Sequence, residues 1–188
     1  MAIDKIQANA FADDAITADK INLADTFAFT GTVSGVGKIL QVISSTTTAM
    51  TSHSRDAEMT NFLTAITPSS TSSKILFMVS LGLVGSDASA DTGVAIRRKI
   101  GDGSFIYLQI GSGASNTNTT FVPFMGYGGG LATGGVGFQI VDSPNTTSEV
   151  SYQLQCRVNS GRTLYINRRG SGTDYGSSSG ITLMEISG

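Results

Sequence analysis

Hydrophobic and polar residues alternate with a period of two over much of the chain after residue 37. This alternation is typical of β-strands, whose successive side chains point to opposite faces of a sheet. The clearest case is residues 151–158, where every second position is apolar: Tyr152, Leu154, Cys156 and Val158. Serine, glutamine and arginine occupy the positions between them. The pattern therefore predicts a half-buried strand with one wet face.

Residues that favour turns separate the predicted strands and indicate two hairpins. Asn159 to Arg162 separates residues 151–158 from the alternating residues 163–167, which predicts a hairpin over residues 151–167. Asp102 and Gly103 predict a second hairpin. Its strands are expected at residues 94–100 and 104–110. Further strands are predicted at residues 38–44, 74–84, 120–125, 135–141 and 180–186.

Residues 55–66 fit two kinds of element. Their larger apolar residues have helical spacing, whereas the threonine-rich flanks favour a strand: Met59, Phe62, Leu63 and Ile66. Both interpretations remain open. About eight to ten short strands at this spacing predict an all-β fold, a β-sandwich of the jelly-roll type.

The segment 74–84 is apolar on both of its expected faces. One face carries Ile75, Phe77, Val79, Leu81 and Leu83, and the other carries Leu76, Met78 and Val84. A strand in a two-sheet sandwich normally keeps one face in water. The second apolar face therefore predicts contact with another subunit, or a cover provided by a loop of the same chain.

Composition and charge narrow the class of protein. The 188 residues are 40% hydrophobic and only 14% charged, with 23 glycines, as expected for a turn-rich all-β chain. A net charge of −2 offers no field that attracts nucleic acid, so no nucleic-acid partner is expected. The sequence contains no run of eighteen apolar residues, so membrane insertion is not expected. The N-terminus lacks a signal-peptide profile, and we expect synthesis in a cytoplasm.

The N-terminal segment differs from the rest of the chain. Residues 1–37 hold five aspartates against two lysines, repeat Ala-Asp at six-residue intervals, and end in a glycine-rich stretch. We predict a separate segment over residues 1–37 and a β-head over residues 38–188. Ordering the segment costs about 1–2 kcal/mol per residue, which its own apolar side chains offset only in part. It is therefore predicted to fold against a partner, extended or partly helical, through Ile3, Ile6, Phe11, Ile16, Ile21, Leu23 and Phe27.

Residues that carry covalent chemistry are scarce. One histidine and one cysteine cannot supply a zinc site of the usual kind. His53 is predicted to be a solvated loop residue and Cys156 a small apolar core residue. Acidic pairs such as Asp87 and Asp91 lie in polar stretches that predict no pocket. We therefore expect a protein that is not an enzyme and that needs no cofactor or metal.

The basic and aromatic residues predict a binding surface rather than a reaction centre. Arg97 and Arg98 alternate on a predicted strand and should point to opposite faces. A second basic group consists of Arg157, Arg162, Arg168 and Arg169. It is expected to be either solvated surface or a contact for an acidic partner or anionic glycan. The candidate receptor or glycan contacts are Tyr127, Tyr175, Arg168 and Arg169.

An ordered set of segments resembles a family of viral domains. These segments are residues 66–76, 141–144, 152–158, 164–168 and 181–186. In this order they resemble a domain at the C-terminal ends of tailed-bacteriophage fibre proteins, especially those of marine and cyanobacterial phages. The residues at 15–21 also resemble the repetitive stalk starts of such fibres. The resemblance implies a homotrimeric jelly-roll head, similar to tumour-necrosis-factor-like heads, on a virion.

The resemblance also implies partners and a role. Residues 1–37 would attach the protein to other virion proteins of the tail or capsid, and the head would contact a host-surface glycan or protein. This chain lacks the extended shaft of long fibres, which favours a short fibre or knob. Two alternatives remain open: a capsid decoration or head-fibre protein without a receptor role, and a carbohydrate-binding module.

Overall fold

The computed structural model describes residues 37–86, 91–108, 122–125, 132–158, 161–170 and 172–188. No helix in these ranges is long and apolar enough to cross a membrane. The predicted boundary at residue 37 and the conformation of the N-terminal segment stay predictions. The following candidate residues lie outside the described ranges: Ile3, Ile6, Phe11, Ile16, Ile21, Leu23, Phe27 and Tyr127.

The regular elements of the described residues are β-strands, as the alternation predicted. In chain order they are β1 (Ile39–Thr47), β2 (Thr51–Ser54), β3 (Glu58–Ile66), β4 (Lys74–Leu81), β5 (Val84–Ser86), β6 (Asp91–Ile100), β7 (Ile106–Leu108), β8 (Val122–Met125), β9 (Ala132–Thr133), β10 (Val136–Asp142), β11 (Val150–Val158), β12 (Thr163–Ile166) and β13 (Ser179–Ile186). The prediction of an all-β fold is confirmed.

The described strands form antiparallel sheets, and we name three of them. The first sheet has the order β1-β13-β4-β10. The second has the order β3-β11-β6-β7, with β8 paired to β6, and the third, of short strands, has the order β2-β12-β5-β9. Along the chain the longer strands alternate between the first and second sheets. This arrangement is compatible with a β-sandwich.

The hydrophobic core combines side chains from all three sheets, most of them from the first two. Phe77 on β4 and Tyr152 on β11 pack with their ring centres 5.5 Å apart. As predicted, one face of β4 is buried through Ile75, Phe77, Val79 and Leu81. Cys156 is buried in the same core, which confirms its predicted role.

Residues 58–66 form strand β3, so the helical alternative for this segment is wrong. β3 pairs with β11, and the register shifts between Leu63 and Met59. Met59 and Phe62 are both buried although they are three residues apart. An irregularity of this kind changes which residues share a face of a strand. The apparent helical spacing therefore arises from the register shift.

One of the two predicted hairpins is wrong. β11 pairs with β3 and β6, whereas β12 pairs with β2 and β5 in a different sheet. The two strands are consecutive but find their partners elsewhere, because both neighbours of β11 are already strands of the second sheet. The hairpin at Asp102 is confirmed, since β6 pairs with β7 through Arg97 and Tyr107. Gly101 supplies a left-handed φ of 50° in its turn.

The predicted strand over residues 74–84 is broken at its end. β4 stops at Leu81, and β5 begins at Val84, which is buried rather than on the outer face. At Gly82 an added Cβ would lie 2.4 Å from the Ser178 carbonyl oxygen. The chain crosses another segment there, and only a residue without a side chain allows this approach.

The prediction that one face of β11 is exposed to water is also wrong. Gln153 is 2% exposed and Gln155 is 6% exposed. β11 is an interior strand of its sheet, and side chains of neighbouring strands cover its polar face. Arg97 donates to the Gln153 side chain at 2.5 Å, and the Tyr107 hydroxyl donates to the Gln155 side chain at 2.5 Å.

Candidate functional site

Residues 168–170 and 172–176, between β12 and β13, carry three of the predicted contact residues, and we call them the 168–176 loop. The Arg169 guanidinium lies 4.9 Å from the ring centre of Tyr175, which is 60% exposed. The Arg168 guanidinium lies 4.7 Å from the ring centre of Tyr165 on β12. This loop and the strand before it therefore hold two arginine–tyrosine pairs, with the two arginines adjacent in the sequence.

Asn167 closes the base of this loop. Its side chain is fully buried, and its φ of 62° turns the chain out of β12. Its Nδ2 donates to the carbonyl oxygens of Thr47 and Ala49 at 3.0 and 3.1 Å. Its Oδ1 accepts from the hydroxyls of Ser177 and Ser179 at 3.2 and 2.6 Å. One buried amide thus links both ends of the loop to the end of β1 and the residues just after it.

Gly85 on β5 supports the loop from below. A Cβ at Gly85 would lie 2.6 Å from the Gly170 nitrogen and 3.0 Å from the Arg168 carbonyl oxygen. Backbone atoms cannot approach a real side chain this closely, so any larger residue would displace the loop. The main chain that carries Arg168 and Arg169 therefore packs directly on a strand.

The loop carries more positive than negative charge. Arg169 faces Asp174 at 3.5 Å, but the Asp174 side chain is 74% exposed. In the described part of the chain, no carboxylate lies within ion-pair distance of Arg168. A solvent-exposed pair such as that of Arg169 contributes little to stability. Both guanidinium groups are thus held mainly by aromatic rings.

The other members of the second basic group, Arg157 and Arg162, belong to other parts of the structure. Arg157 forms an ion pair with Asp56 and lies 5.5 Å from the ring centre of Tyr107 on the second sheet. Arg162 is exposed in the turn before β12. The predicted cluster of four arginines therefore reduces to Arg168 and Arg169, because the hairpin on which it was based does not form.

Arg97 and Arg98 point to opposite faces of β6, as the alternation predicted. Arg97 forms an ion pair with Glu58 at 2.7 Å. Arg98 forms an ion pair with Asp142 at 2.8 Å, and the Tyr152 hydroxyl donates to the same carboxylate at 2.8 Å. Asp142 belongs to the first sheet and its two partners to the second, so this cluster ties the two sheets together.

The prediction of a solvated loop for His53 is wrong. His53 is half-buried on β2, opposite Leu164 of β12, with its Nε2 2.8 Å from the Thr51 hydroxyl. Burial lowers its pKa below the ordinary value. Burial, together with the charge of Asp56, raises the pKa of the Cys156 thiol to about 12. The thiol is therefore protonated at neutral pH and is not a nucleophile.

Other parts of the described chain are less suited to bind a ligand than the 168–176 loop. The described residues hold no group of three or more histidine, cysteine or acidic side chains placed to bind a metal ion. A cleft of about 170 Å³ at the β6–β7 hairpin is lined by Arg98, Ile100, Gly103, Ser104 and Ile106. Arg98 is already paired with Asp142. This cleft therefore presents no unpaired charge to a ligand.

Replacing Asn167 with alanine is expected to lower the free energy of unfolding by about 2–4 kcal/mol, because two backbone carbonyls and two hydroxyls lose the hydrogen bonds of one buried amide. Asn145 is the matched control, since it also has a positive φ, of 54°, but is exposed. Asn145→Ala should cost only the backbone strain of about 1 kcal/mol. Urea denaturation measures both, and equal losses would show that the buried amide has no special role.

The sequence identified three of the loop residues but missed Tyr165, Asn167 and Gly85. Tyr165 lies between the inward-facing Leu164 and Ile166, so its outward position was readable from the alternation. The roles of Asn167 and Gly85 depend on distant segments and left no local signal. The chemistry available here is binding, through planar guanidinium groups and aromatic faces. No protein-family model matches the chain, and no curated protein matches it.

Proposed function

We propose that this chain is a structural and adhesion protein of a tailed bacteriophage, a short trimeric fibre or knob with an outward-facing jelly-roll head. The observation that carries the proposal is an exposed apolar row across the first sheet. The strand order and the resemblance of residues 38–188 to fibre head domains support it. No reaction is assigned to the head.

The strand order supports a jelly roll. In that fold eight antiparallel strands form two facing sheets, and the chain passes from one sheet to the other. Here β1, β4, β10 and β13 form the first sheet, and β3, β6, β7 and β11 the second. The first and last strands of the head are neighbours in the first sheet. Jelly rolls occur widely in viral capsid and lectin domains.

The apolar row crosses the whole outer face of the first sheet. Met184 on β13 is directly paired with Val42 on one side and with Leu76 on the other, and Leu76 is paired with Val141 on β10. Val42 is 53% exposed and Val141 is 51% exposed. Leu76 and Met184 are half-buried. The second apolar face expected of β4 is therefore only partly covered by the described residues.

A second copy of this chain is the occupant that best fits the row. The row continues toward Ile39 and Leu40, which are 55% and 39% exposed. Soluble monomers seldom expose a contiguous apolar patch of this kind. Complete burial of one large apolar side chain stabilises by about 1.5–3 kcal/mol. A side chain that is half exposed in the single chain can still gain about half of this free energy when a second copy covers it. Association of three heads through this face gives the trimer that the resemblance implies.

The two ends of the protein then have separate tasks. Residues 1–37, with their apolar residues and acidic charge, attach the trimer to other proteins of the tail or capsid. The head displays its loops to the host surface. The 168–176 loop is the contact that we assign, because it joins exposed aromatic and cationic side chains on a fixed main chain.

Labelling of virus particles tests this function. Antibodies against the head should mark purified particles at the ends of short projections, and the purified full-length protein should compete with particles for adsorption to host cells. Labelling spread over the whole capsid, without competition, would instead identify a decoration protein. Absence of the chain from particles would refute the virion assignment.

A further inference from the structure

We propose that the 168–176 loop binds an oxyanion, a carboxylate or a phosphate ester, carried by a host-surface polysaccharide. This inference rests on the proposed function, in which the head meets the host surface, and it narrows the receptor to an acidic glycan. The site consists of Arg168 and Arg169 with the rings of Tyr165 and Tyr175.

The arginines of this loop differ in their ion pairs from the half-buried and buried arginines of the second sheet. Arg97, Arg98 and Arg157 each form an ion pair with an acidic side chain of another strand or turn. Arg168 has no such partner among the described residues, and Arg169 has one long contact with an exposed carboxylate. Among the described residues, the three strand arginines are thus paired with carboxylates, whereas the two loop arginines carry an excess of positive charge.

Most donors of this pair have no hydrogen-bond partner among the described residues. A guanidinium group carries five N–H donors. Arg168 donates through Nε to the Arg169 carbonyl oxygen at 3.2 Å. The 3.5 Å contact of Arg169 with Asp174 is longer than an ordinary N–H···O hydrogen bond. The terminal nitrogens of both groups are therefore available to the two oxygens of a carboxylate or to a phosphate, which guanidinium groups bind in a bidentate manner.

The tyrosine rings suit the sugar part of such a ligand. Stacking on Tyr165 and Tyr175 holds the guanidinium planes while their edges stay free to donate. Tyr175 also leaves more than half of its surface exposed, at 60%. Aromatic side chains combine an apolar face with a polar tip. An acidic sugar offers the matching pair, an apolar ring face and an oxyanion.

The main chain of the site is fixed before a ligand arrives. Asn167 closes the loop at its base, and Gly85 allows the backbone of residues 168–170 to pack on β5. A site that is already ordered loses less conformational entropy on binding. Gly85 is a positioning residue in this account, since it makes no contact with the ligand.

Calorimetric titration of the full-length protein tests the inference. The probes are short oligomers of galacturonic acid, the same oligomers as neutral methyl esters, and phosphorylated dextran oligomers. Binding of the acidic probes but not the esters is expected. A preference for one acidic probe identifies the oxyanion as carboxylate or phosphate. Binding of the esters with equal affinity, or of no probe at all, would overturn the inference.

Matched variants separate this site from general charge. Arg168→Ala should weaken binding about tenfold, and Arg168→Lys should recover only part of it because lysine lacks the planar fork. Arg162→Ala removes the same charge from an exposed turn and should leave the affinity unchanged. An equal loss in Arg162→Ala would assign binding to overall charge and overturn the proposal.

Variants at two strand glycines test the positioning of the loop. Gly85→Ala should weaken binding several-fold, whereas Gly137→Ala should not, since a Cβ at Gly137 meets only an ordinary contact at 3.7 Å. Equal affinity in both would show that β5 does not position the site. Failure of the glycan titrations in a protein that labels particles and blocks adsorption would overturn this inference alone. Failure to find the chain on particles would overturn the proposed function instead.

Discussion

Replacing Val42 with glutamate is expected to convert the proposed trimer into a folded monomer of 19.5 kDa. Val42 lies in the apolar row, directly opposite Met184, and is 53% exposed in the single chain. In the monomer the new carboxylate stays in water, so the fold should tolerate it. In the trimer it would be buried against apolar side chains without a partner, at a cost of several kcal/mol per copy.

Leu63→Glu is the control for this variant. Leu63 is an apolar strand residue of similar exposure, 46%, but it belongs to the second sheet. Sedimentation velocity should give a trimer for the parent and for Leu63→Glu, and a monomer for Val42→Glu. A monomeric parent would contradict the assembly. A trimeric Val42→Glu variant beside a dissociated Leu63→Glu variant would move the interface to the second sheet.

The second large effect is expected at Glu185, a buried carboxylate of β13. Its side chain has no exposed surface. Oε1 accepts hydrogen bonds from the Ser69 nitrogen, the Ser69 hydroxyl and the Ser73 hydroxyl at 2.7, 2.6 and 2.7 Å, and Oε2 accepts from Gln41 at 2.6 Å. Burial alone would raise its pKa, but these hydrogen bonds outweigh it and lower the pKa to about 2.

This lowered pKa makes the stability of the head depend on acid. The unfolded chain takes up a proton at Glu185 near the ordinary pKa of 4.5, whereas the folded chain does so only near 2. The unfolded state therefore binds more protons between these pH values, and the free energy of unfolding falls as the pH falls through this window. Well above pH 4.5 the full contribution is present.

Glu185→Gln removes this dependence and weakens the site. At pH 7 we expect a loss of about 3 kcal/mol in the free energy of unfolding, because one acceptor oxygen becomes a donor facing Gln41. The deficit relative to the parent should shrink as the pH falls from 4.5 toward 2. Glu149→Gln, at an exposed residue just before β11, should change stability little at any pH. Urea denaturation at pH 7 and pH 3 measures this, and a constant deficit would contradict the assigned pKa.

The strands were predictable because burial of one face of a strand requires apolar residues at every second position. The pattern identified the inward residues of β4 and β11, such as Phe77 and Tyr152, directly. It failed for the polar face of β11 because cover by Arg97 and Tyr107 comes from other strands. Turn residues between β11 and β12 predicted a hairpin, but local turn chemistry does not decide which sheet the next strand joins.

The candidate loop was predictable only in its exposed members. Arginine and tyrosine in a polar stretch indicate a surface contact, and the structure brings Arg169 and Tyr175 together. The residues that hold the loop in place act over long distances in the sequence, since Asn167 donates hydrogen bonds to residues at and just after the end of β1. Such contacts leave no periodic or compositional trace.

A cryo-electron microscopy map of the virus particle tests the central claim most directly. We predict three copies of the β-head around one axis on a short projection, with the first sheets facing the axis and residues 1–37 docked on a tail or capsid protein. The 168–176 loops should be open to the surroundings. Single heads, or heads whose first sheets face solvent, would contradict the account.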